Sequence, residues 1–333
     1  MNTVKLVCDL IDRPCISGVK EVFDFCEDFL GSFAVTRKNE NYLKASINPH
    51  AEKQIVLEAH IDQIGMIITH VYDDGFLRAA PVGSIDTRFL PSTMVTVFGK
   101  EKVCGVFTGM PPHLKSDDSI SSFDSCFIDT GRTDIGEIVS QGDFAVFNTK
   151  AEVMLNNRIT GTALDNRSGV AAVMSAAQRA AQSGLDLGIT VLLTMNEELG
   201  CRGAKTAAFG IKADSCISVD VSFGNCPQVE PYKTAKLGSG AMIGVSPVLS
   251  EEVYNNLKTA AKKHNVPFTL EVMGGSTSTN ADVISISGSG IKCGLVSIPL
   301  RNMHTPCEVV DAADIDSVSD LLFYYLTEEQ KNA

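Results

Sequence analysis

The sequence predicts an α/β protein in which a mixed, largely parallel sheet is flanked by helices and interrupted by an inserted small β-barrel. Three observations carry this prediction: buried-strand patterns on both sides of a middle segment, helical patterns between those strands, and the absence of a helical period within the segment itself. With 333 residues, 44% of them hydrophobic, the chain is long and apolar enough for one large core and a smaller one.

Four short runs of branched aliphatic residues are typical of strands that are buried on both faces. They occupy positions 55–59, 189–195, 216–221 and 293–298. Strands of this kind separated by helical segments favour a parallel sheet, so we expect these four to form its centre.

Three segments show the apolar spacing of helices. The clearest begins after Asp165 and stops near Gly184, and its apolar face consists of Val170, Val173, Met174, Ala177 and Ala181. A second helix is predicted over 251–264, with Ser250 as its N-cap, and a third over 314–326.

The stretch 66–155 contains short β-type segments such as MVTVFG and KVCGVFTG, separated by Gly and Asp turn signals. We therefore predict an inserted β-barrel at 66–155. The remaining parts, 1–65 and 156–333, would form one discontinuous catalytic domain.

Composition excludes several functions. The formal net charge of −12 and the lack of a basic block argue against nucleic-acid binding. No apolar stretch of about 20 residues is present, and no secretory signal is recognisable, so neither a membrane span nor export is expected. The ten scattered cysteines are typical of reduced thiols, and a cytoplasmic location is expected.

Histidines and carboxylates follow the predicted core strands, where ligands gather in parallel α/β sheets. His60, Asp62, Glu197, Glu198 and His304 come after such strands, Asp220 lies within one near its end, and Asp165 opens the long helix. Each alone has a structural explanation, as a hydrogen-bonded pair, a helix cap or a solvated loop residue. Imidazole and carboxylate groups together form a ligand set suited to zinc, cobalt or manganese. Buried carboxylates must also be paired or bound to a metal, which favours a metal site over separate structural roles.

The adjacent glutamates Glu197 and Glu198 suggest two different chemical roles. One carboxylate can bind a metal while its neighbour takes a proton from water, as metal-assisted hydrolysis requires. Successive side chains of a strand point to opposite faces, so both can reach one site only if the strand ends there and the chain turns at Gly200. The simpler alternative is that Glu198 is exposed and only Glu197 acts.

Five motifs together resemble the tetrahedral, or glutamyl, aminopeptidase family of dinuclear metallopeptidases. They are AHIDQIG, GTALDNRSG, NEELGCRGA, SVDVS and RNMHTPCEV. The resemblance extends over nearly the whole chain, and it implies a zinc-peptidase-like α/β domain with an inserted β-domain used in assembly.

The resemblance also implies roles for the seven residues. Asp165 would bridge two divalent ions, with His60 and Asp220 completing one site and Glu198 and His304 the other. Glu197 would be the general base that takes a proton from water held between the ions, and Asp62 would hold the His60 ring. The ions would be zinc or cobalt, with manganese as a further option.

The implied activity is removal of N-terminal residues from short peptides with a free N-terminus. The implied assembly is a homo-oligomer, with a twelve-subunit shell as the common form in the family. Hydrolases of other amides, namely deacylases and carboxypeptidases, remain alternatives, and so do a metal-independent glycosidase and a non-catalytic scaffold.

One segment departs from the family pattern. Many relatives carry Gly-Thr-Asp in a late glycine-rich loop, whereas this chain reads GGSTSTNAD and has Asn280 at the aspartate position and Asp282 two residues later. We expect this loop near the substrate, so the departure concerns side-chain preference rather than metal binding.

Overall fold

The computed structural model describes residues 2–114, 121–227 and 229–331. Within these residues the chain forms seven α-helices, which are α1 (Thr3–Ile11), α2 (Glu21–Gly31), α3 (Leu164–Gln182), α4 (Arg202–Phe209), α5 (Glu251–Lys263), α6 (Asn280–Ser285) and α7 (Ala312–Lys331).

Nineteen strands lie in the same residues. In the first half of the chain they are β1 (Cys15–Ile16), β2 (Val19–Lys20), β3 (Val35–Lys38), β4 (Tyr42–Ile47), β5 (Gln54–His60), β6 (Gly65–Val71), β7 (Phe76–Val82), β8 (Met94–Phe98), β9 (Lys102–Phe107), β10 (Ile128–Asp129), β11 (Phe144–Phe147), β12 (Glu152–Val153) and β13 (Arg158–Gly161). The remaining strands are β14 (Gly188–Thr194), β15 (Ser215–Phe223), β16 (Ala241–Val245), β17 (Phe268–Val272), β18 (Lys292–Arg301) and β19 (Glu308–Asp311).

Four parallel strands form the centre of the large sheet, in the order β18, β15, β5, β14. These are the strands that the four aliphatic runs predict, with ends that differ by one to three residues. Antiparallel strands extend the sheet on both sides, with β4 beside β14 and β19 beside β18. The predicted fold class, a mixed α/β sheet flanked by helices, is therefore confirmed, with its parallel strands at the centre and antiparallel strands outside them.

Helices cover both faces of this sheet. Alternate residues of β5 show this, because Ile55 and Leu57 lie in the large core with residues of α1, α3, α5 and α7. Val56, between them, lies in a smaller core with residues of α4 and α6. Each leucine or isoleucine buried in this way contributes about 1.5–3 kcal/mol relative to an exposed one.

Helix α3 runs through the large core and packs against β5, β15 and α7. Its predicted apolar face is buried, with Ala181 at its edge. The first-turn residues Asp165 and Asn166 have non-helical backbone angles, so Asp165 stands at the entry to the regular helix. Gly184, with φ of 65°, follows the last turn.

The other two predicted helices are also present. Helix α5 begins where the Ser250 hydroxyl accepts a hydrogen bond from the backbone N–H of Val253 at 3.4 Å, which confirms the N-cap. Helix α7 extends beyond its predicted range at both ends.

A closed six-stranded barrel interrupts the chain between β5 and β13, in the order β10, β7, β6, β11, β8, β9, with β9 pairing back to β10. Its strands run from Gly65 to Phe147, and their inward side chains form a separate core that includes Met66, Val97 and Phe107. Strand β12 already pairs with β13 in the large sheet. The inserted barrel is therefore confirmed as a fold element, whereas the division into functional domains stays a prediction.

Among the described residues, the helices lack the combination of length and apolarity that a membrane span requires.

Candidate active site and metal centre

Six of the seven predicted site residues line one cavity at the carboxyl edge of the parallel strands. His60 ends β5, Asp220 lies near the end of β15, and the glutamate pair follows β14. The loop after β18 supplies His304, and the entry to α3 supplies Asp165. Residues far apart in sequence thus meet because their strands are parallel neighbours.

Two clusters of side chains are candidate metal-binding groups, and the first consists of His60, Asp165 and Asp220. The Nε2 atom of His60 lies 3.0 Å from Oδ1 of Asp165 and 3.5 Å from Oδ1 of Asp220. All three residues are buried. Their nitrogen and oxygen atoms lie within 4.8 Å of one another, close enough to surround one ion.

The second group consists of Asp165, Glu198 and His304, whose nitrogen and oxygen atoms also lie within 4.8 Å of one another. The Nε2 atom of His304 lies 3.4 Å from Oδ2 of Asp165 and 3.3 Å from Oε1 of Glu198. Asp165 therefore turns one carboxylate oxygen toward each group. A single carboxylate shared in this way suits two neighbouring cations.

The electrostatics of the cavity favour positive charge. Burial lowers the pKa of His304, but hydrogen bonds to Asp165 and Glu198 outweigh this effect and raise the pKa to about 11. For His60 too, burial is outweighed, here by Asp165 and Asp220, and the pKa lies well above its usual value. Imidazole nitrogens among carboxylates are a donor set that fits zinc, cobalt or manganese.

Glu197 lines the same cavity but belongs to neither group. Burial raises the pKa of its carboxyl to about 8, and the Cys201 thiol donates a hydrogen bond to its Oε1 at 3.5 Å. The chain leaves the extended conformation at Asn196 (φ 59°) and turns at Gly200 (φ 91°). This turn allows both adjacent glutamates to line one cavity.

Asp62 lies behind the glutamate pair. Its Oδ1 accepts a hydrogen bond from the backbone N–H of Glu197 at 3.1 Å, and its Oδ2 accepts one from the N–H of Glu198 at 3.4 Å. The Nδ1 atom of His60 is 3.5 Å from Oδ1 of Asp62 and has no hydrogen bond among the described residues. Asp62 therefore contacts the backbone of the glutamate pair more closely than the histidine ring.

Glu308 is a site residue that the sequence analysis did not single out, although it is the second-to-last residue of the quoted motif RNMHTPCEV. Its carboxylate is buried and accepts hydrogen bonds from the backbone N–H of Asp165 at 3.0 Å and of His304 at 2.9 Å. It thereby joins the two segments that supply ligands to the second group. The only signal in the sequence was a carboxylate four residues after a candidate histidine ligand.

Glu58 and Asn280 form a buried pair beneath the cavity. The amide of Asn280 donates hydrogen bonds to Oε1 of Glu58 at 2.7 Å and to the Thr194 hydroxyl at 2.9 Å. Burial raises the pKa of Glu58 to about 7. The GGSTSTNAD segment does border the cavity, through Thr277, Ser278 and Thr279, whereas the side chain of Asn280 points to Glu58 instead.

The cavity has a volume of about 350 Å³ and a second wall away from the two groups. This wall carries Glu271 of β17 together with the apolar side chains of Met273, Leu295 and Phe223. The site therefore combines a histidine and carboxylate centre with adjoining space for a small organic group.

Known proteins share this architecture over nearly their whole length. A lysyl aminopeptidase of Pyrococcus furiosus is 29% identical, covering 95% of this chain and 94% of its own. The structure of aminopeptidase APDkam598 from Desulfurococcus kamchatkensis superposes with a TM-score of 0.90 at 29% identity, covering 98% of this chain and 94% of that one. The TET1 peptidase of Pyrococcus horikoshii, described as assembling into a tetrahedron or a large octahedral shell, gives a TM-score of 0.85 at 27% identity, covering 97% and 98% of the two chains.

The similarity to these aminopeptidases in sequence and in fold makes this chain an aminopeptidase, a hydrolase of peptide bonds. Residues 43–321 match the model of the M42 glutamyl aminopeptidases. The chain belongs to the M42 glutamyl aminopeptidase family, as the sequence motifs predicted.

Proposed function

We propose that this protein removes N-terminal residues from short peptides with two divalent ions and a glutamate base. His60 and Asp220 would hold one ion, Glu198 and His304 the other, and Asp165 both. The observation that carries this proposal is the pair of compact donor groups that share Asp165, with the uncoordinated Glu197 beside them. Zinc and cobalt are the first candidates, and manganese is a further one.

The ions, when bound, polarise the scissile carbonyl and make water acidic enough to lose a proton near neutral pH. Glu197 accepts that proton on its carboxylate and delivers it to the departing amine. Glu198 would hold an ion rather than take a proton, because it belongs to the second donor group and Glu197 to neither. Asp62 positions the glutamate pair by accepting hydrogen bonds from the two backbone N–H groups of that pair.

The charge of the cavity favours substrates with a free amine. The residues that line it include five carboxylates and, within the described part of the chain, neither lysine nor arginine. Two divalent ions would offset four of these five negative charges, so one negative charge would remain to attract a substrate ammonium group, whereas an acetylated amine gains nothing from it. Peptides with a free N-terminus are therefore the proposed substrates, rather than the acylated amides of a deacylase.

We further propose that the inserted barrel, whose strands run from Gly65 to Phe147, serves homo-oligomeric assembly, with twelve subunits as one candidate size. Support comes from exposed apolar side chains on the barrel, among them Phe89, Met94 and Val106. The TET1 peptidase of Pyrococcus horikoshii, which resembles this chain in fold, is described as forming a tetrahedron or an octahedral shell.

Hydrolysis of aminoacyl chromogenic amides tests the activity. Each amide is offered with a free and with an acetylated amine, to protein stripped with chelator and then supplied with zinc, cobalt or manganese. Metal-dependent cleavage of only the free-amine members is the expected result. Cleavage of the acetylated members would favour a deacylase, and activity indifferent to chelator would favour the glycosidase alternative or another metal-independent reaction.

A further inference from the structure

The cavity wall beyond the metal-binding groups holds a carboxylate that the proposed reaction does not use. Glu271 on β17 accepts hydrogen bonds from the hydroxyls of Ser222 and Ser297, the latter at 2.7 Å. These bonds fix the carboxylate at the wall, where it lines the cavity. Its position is therefore built into the fold rather than left to a mobile side chain.

The strand register places Glu271 near the catalytic centre but not in it. Ser297 is the register partner of Asp220 on the neighbouring parallel strand, so the two side chains lie on the same face of the sheet. Ser222 lies on that face too, two residues beyond Asp220, which is about 6.5 Å along a strand. Because Glu271 is bonded to both serines, its carboxylate lies roughly the spacing of two strand residues away from Asp220, a proposed metal ligand.

No basic side chain in the described part of the molecule balances this carboxylate. Its hydrogen-bond partners are two neutral serines, and no described lysine, arginine or histidine forms an ion pair with it. A partly buried carboxylate held only by neutral hydroxyls is costly compared with one that faces a cation. A cationic group entering the cavity would remove that cost.

The cavity that Glu271 lines also has apolar side chains in its wall. Leu295 is buried two residues before Ser297, and Met273 lies two residues after Glu271. Long basic side chains have an aliphatic stem that packs on apolar surface and a charged end that seeks a polar partner. Leucine and methionine beside a carboxylate match both parts of such a side chain.

We propose that Glu271 selects substrates whose N-terminal residue is lysine or arginine, by pairing with the charged end of that side chain. This inference depends on the aminopeptidase function proposed above. The α-amine of the substrate is an alternative partner. It is attached one carbon away from the scissile carbonyl, so it stays beside the metal ligands rather than two strand residues away from them.

Glu271→Gln tests the inference, because it removes the charge and keeps the size of the side chain. Wild-type enzyme is expected to cleave lysyl and arginyl amides with a higher kcat/KM than the leucyl amide. The variant should lose about 10²-fold on both basic substrates and stay within about threefold on the leucyl amide. Comparison of the lysyl with the arginyl amide shows which basic group fits better.

Glu251→Gln, an exposed substitution in the first turn of α5, is the matched control and should leave all ratios unchanged. Glu271→Lys should reverse the preference toward a glutamyl amide. A binding measurement complements the kinetics, since L-norleucine has the chain of lysine without its charge. Wild-type protein should bind L-lysine more tightly than L-norleucine, and Glu271→Gln should bind the two equally.

An equal loss on every substrate in Glu271→Gln would mean that Glu271 holds the α-amine or only the fold, and it would overturn the inference. So would a wild-type preference for leucyl or glutamyl amides that the variant does not change. In both cases the aminopeptidase function would stand. Only a wild-type protein that cleaves no free-amine substrate under any metal would remove both proposals.

Discussion

The carboxylate of Asp62 accepts a hydrogen bond from the backbone N–H of Glu197 at 3.1 Å. Asp62 lies two positions after His60, a proposed metal ligand, so it connects that strand end to the proposed base. The same carboxylate accepts the N–H of Glu198. The loop after β14 and the end of β5 are therefore connected directly. Changes at either strand end should therefore affect both the proposed base and the proposed metal-binding groups.

Glu197→Gln should lower kcat by about two to four decades, the usual contribution of a general base, because glutamine has a similar shape but cannot take a proton. Zinc affinity should change little, since Glu197 belongs to neither donor group. Steady-state kinetics and calorimetric zinc titration measure the two quantities. Glu198→Gln is the contrasting variant and should weaken zinc binding. Near-normal turnover by Glu197→Gln would show that another residue is the base.

Asp62→Asn should reduce activity by about 10- to 100-fold, the usual effect of changing a group that orients metal-site residues. The amide nitrogen of asparagine donates rather than accepts, so one backbone N–H of the glutamate pair loses its partner. An unsatisfied buried donor costs about 1–3 kcal/mol, which urea denaturation would detect. Asp74→Asn, at an exposed turn of the barrel, is the control. Unchanged kcat and stability in Asp62→Asn would contradict this role.

Glu308→Ala should weaken zinc binding by about 10- to 100-fold, because the segments that carry Asp165 and His304 lose their common acceptor. Glu308→Gln keeps one acceptor oxygen, so its zinc affinity should lie between those of the wild type and the alanine variant. Calorimetric titration of metal-free protein with zinc ranks the three.

Asp314→Asn is the matched control for Glu308. The carboxylate of Asp314 likewise accepts two hydrogen bonds, from the backbone N–H groups of Gly238 and Gly240, both at 2.7 Å. Asp314 does not line the cavity. Its replacement should lower stability and leave zinc affinity unchanged. If both variants lowered zinc affinity equally, the effect of Glu308 would be one of general stability.

Removal of metal should lower the thermal stability of the protein as well as its activity. Binding to the folded state alone stabilises by about 2.7 kcal/mol when free ion is 100 times the Kd. Chelator-treated protein should therefore melt at a lower temperature, and zinc or cobalt should restore the melting point. Glu198→Gln should need more zinc for the same restoration. A melting point indifferent to every candidate metal would argue against a metal centre at this cavity.

The paired replacement Met94→Glu and Val106→Glu should dissociate the proposed oligomer. These side chains face each other across β8 and β9 and are 52% and 37% exposed, so charges there are tolerated by a monomer but not by a packed interface. Light scattering after size exclusion measures the mass. Lys100→Glu, in the turn between the same strands, changes the net charge by the same two units and should leave assembly intact. An unchanged mass in the double variant would place the interface elsewhere.

Local sequence patterns were sufficient for much of the fold. The four aliphatic runs, the apolar spacing after Asp165 and the turn residues of the barrel each predict an element that the structure contains. Strands β3, β4, β16 and β17 were not marked in advance. Exposed residues interrupt the aliphatic pattern in β3 and β17, and polar residues interrupt it in β4. Strand β16 is buried but only five residues long, and it contains Gly244. Helix α6 is only six residues long, too short to show a period.

The sequence by itself determined which residue types stand at the ends of the core strands, because strand length and polarity are local properties. Tertiary structure alone decided that Asp165 faces two donor groups, that Glu308 joins two ligand segments and that Glu271 reaches the cavity through Ser222 and Ser297. Those relationships depend on strand order, register and the packing of β17 beside β16. Contacts between residues tens to hundreds of positions apart leave no periodic trace in the sequence.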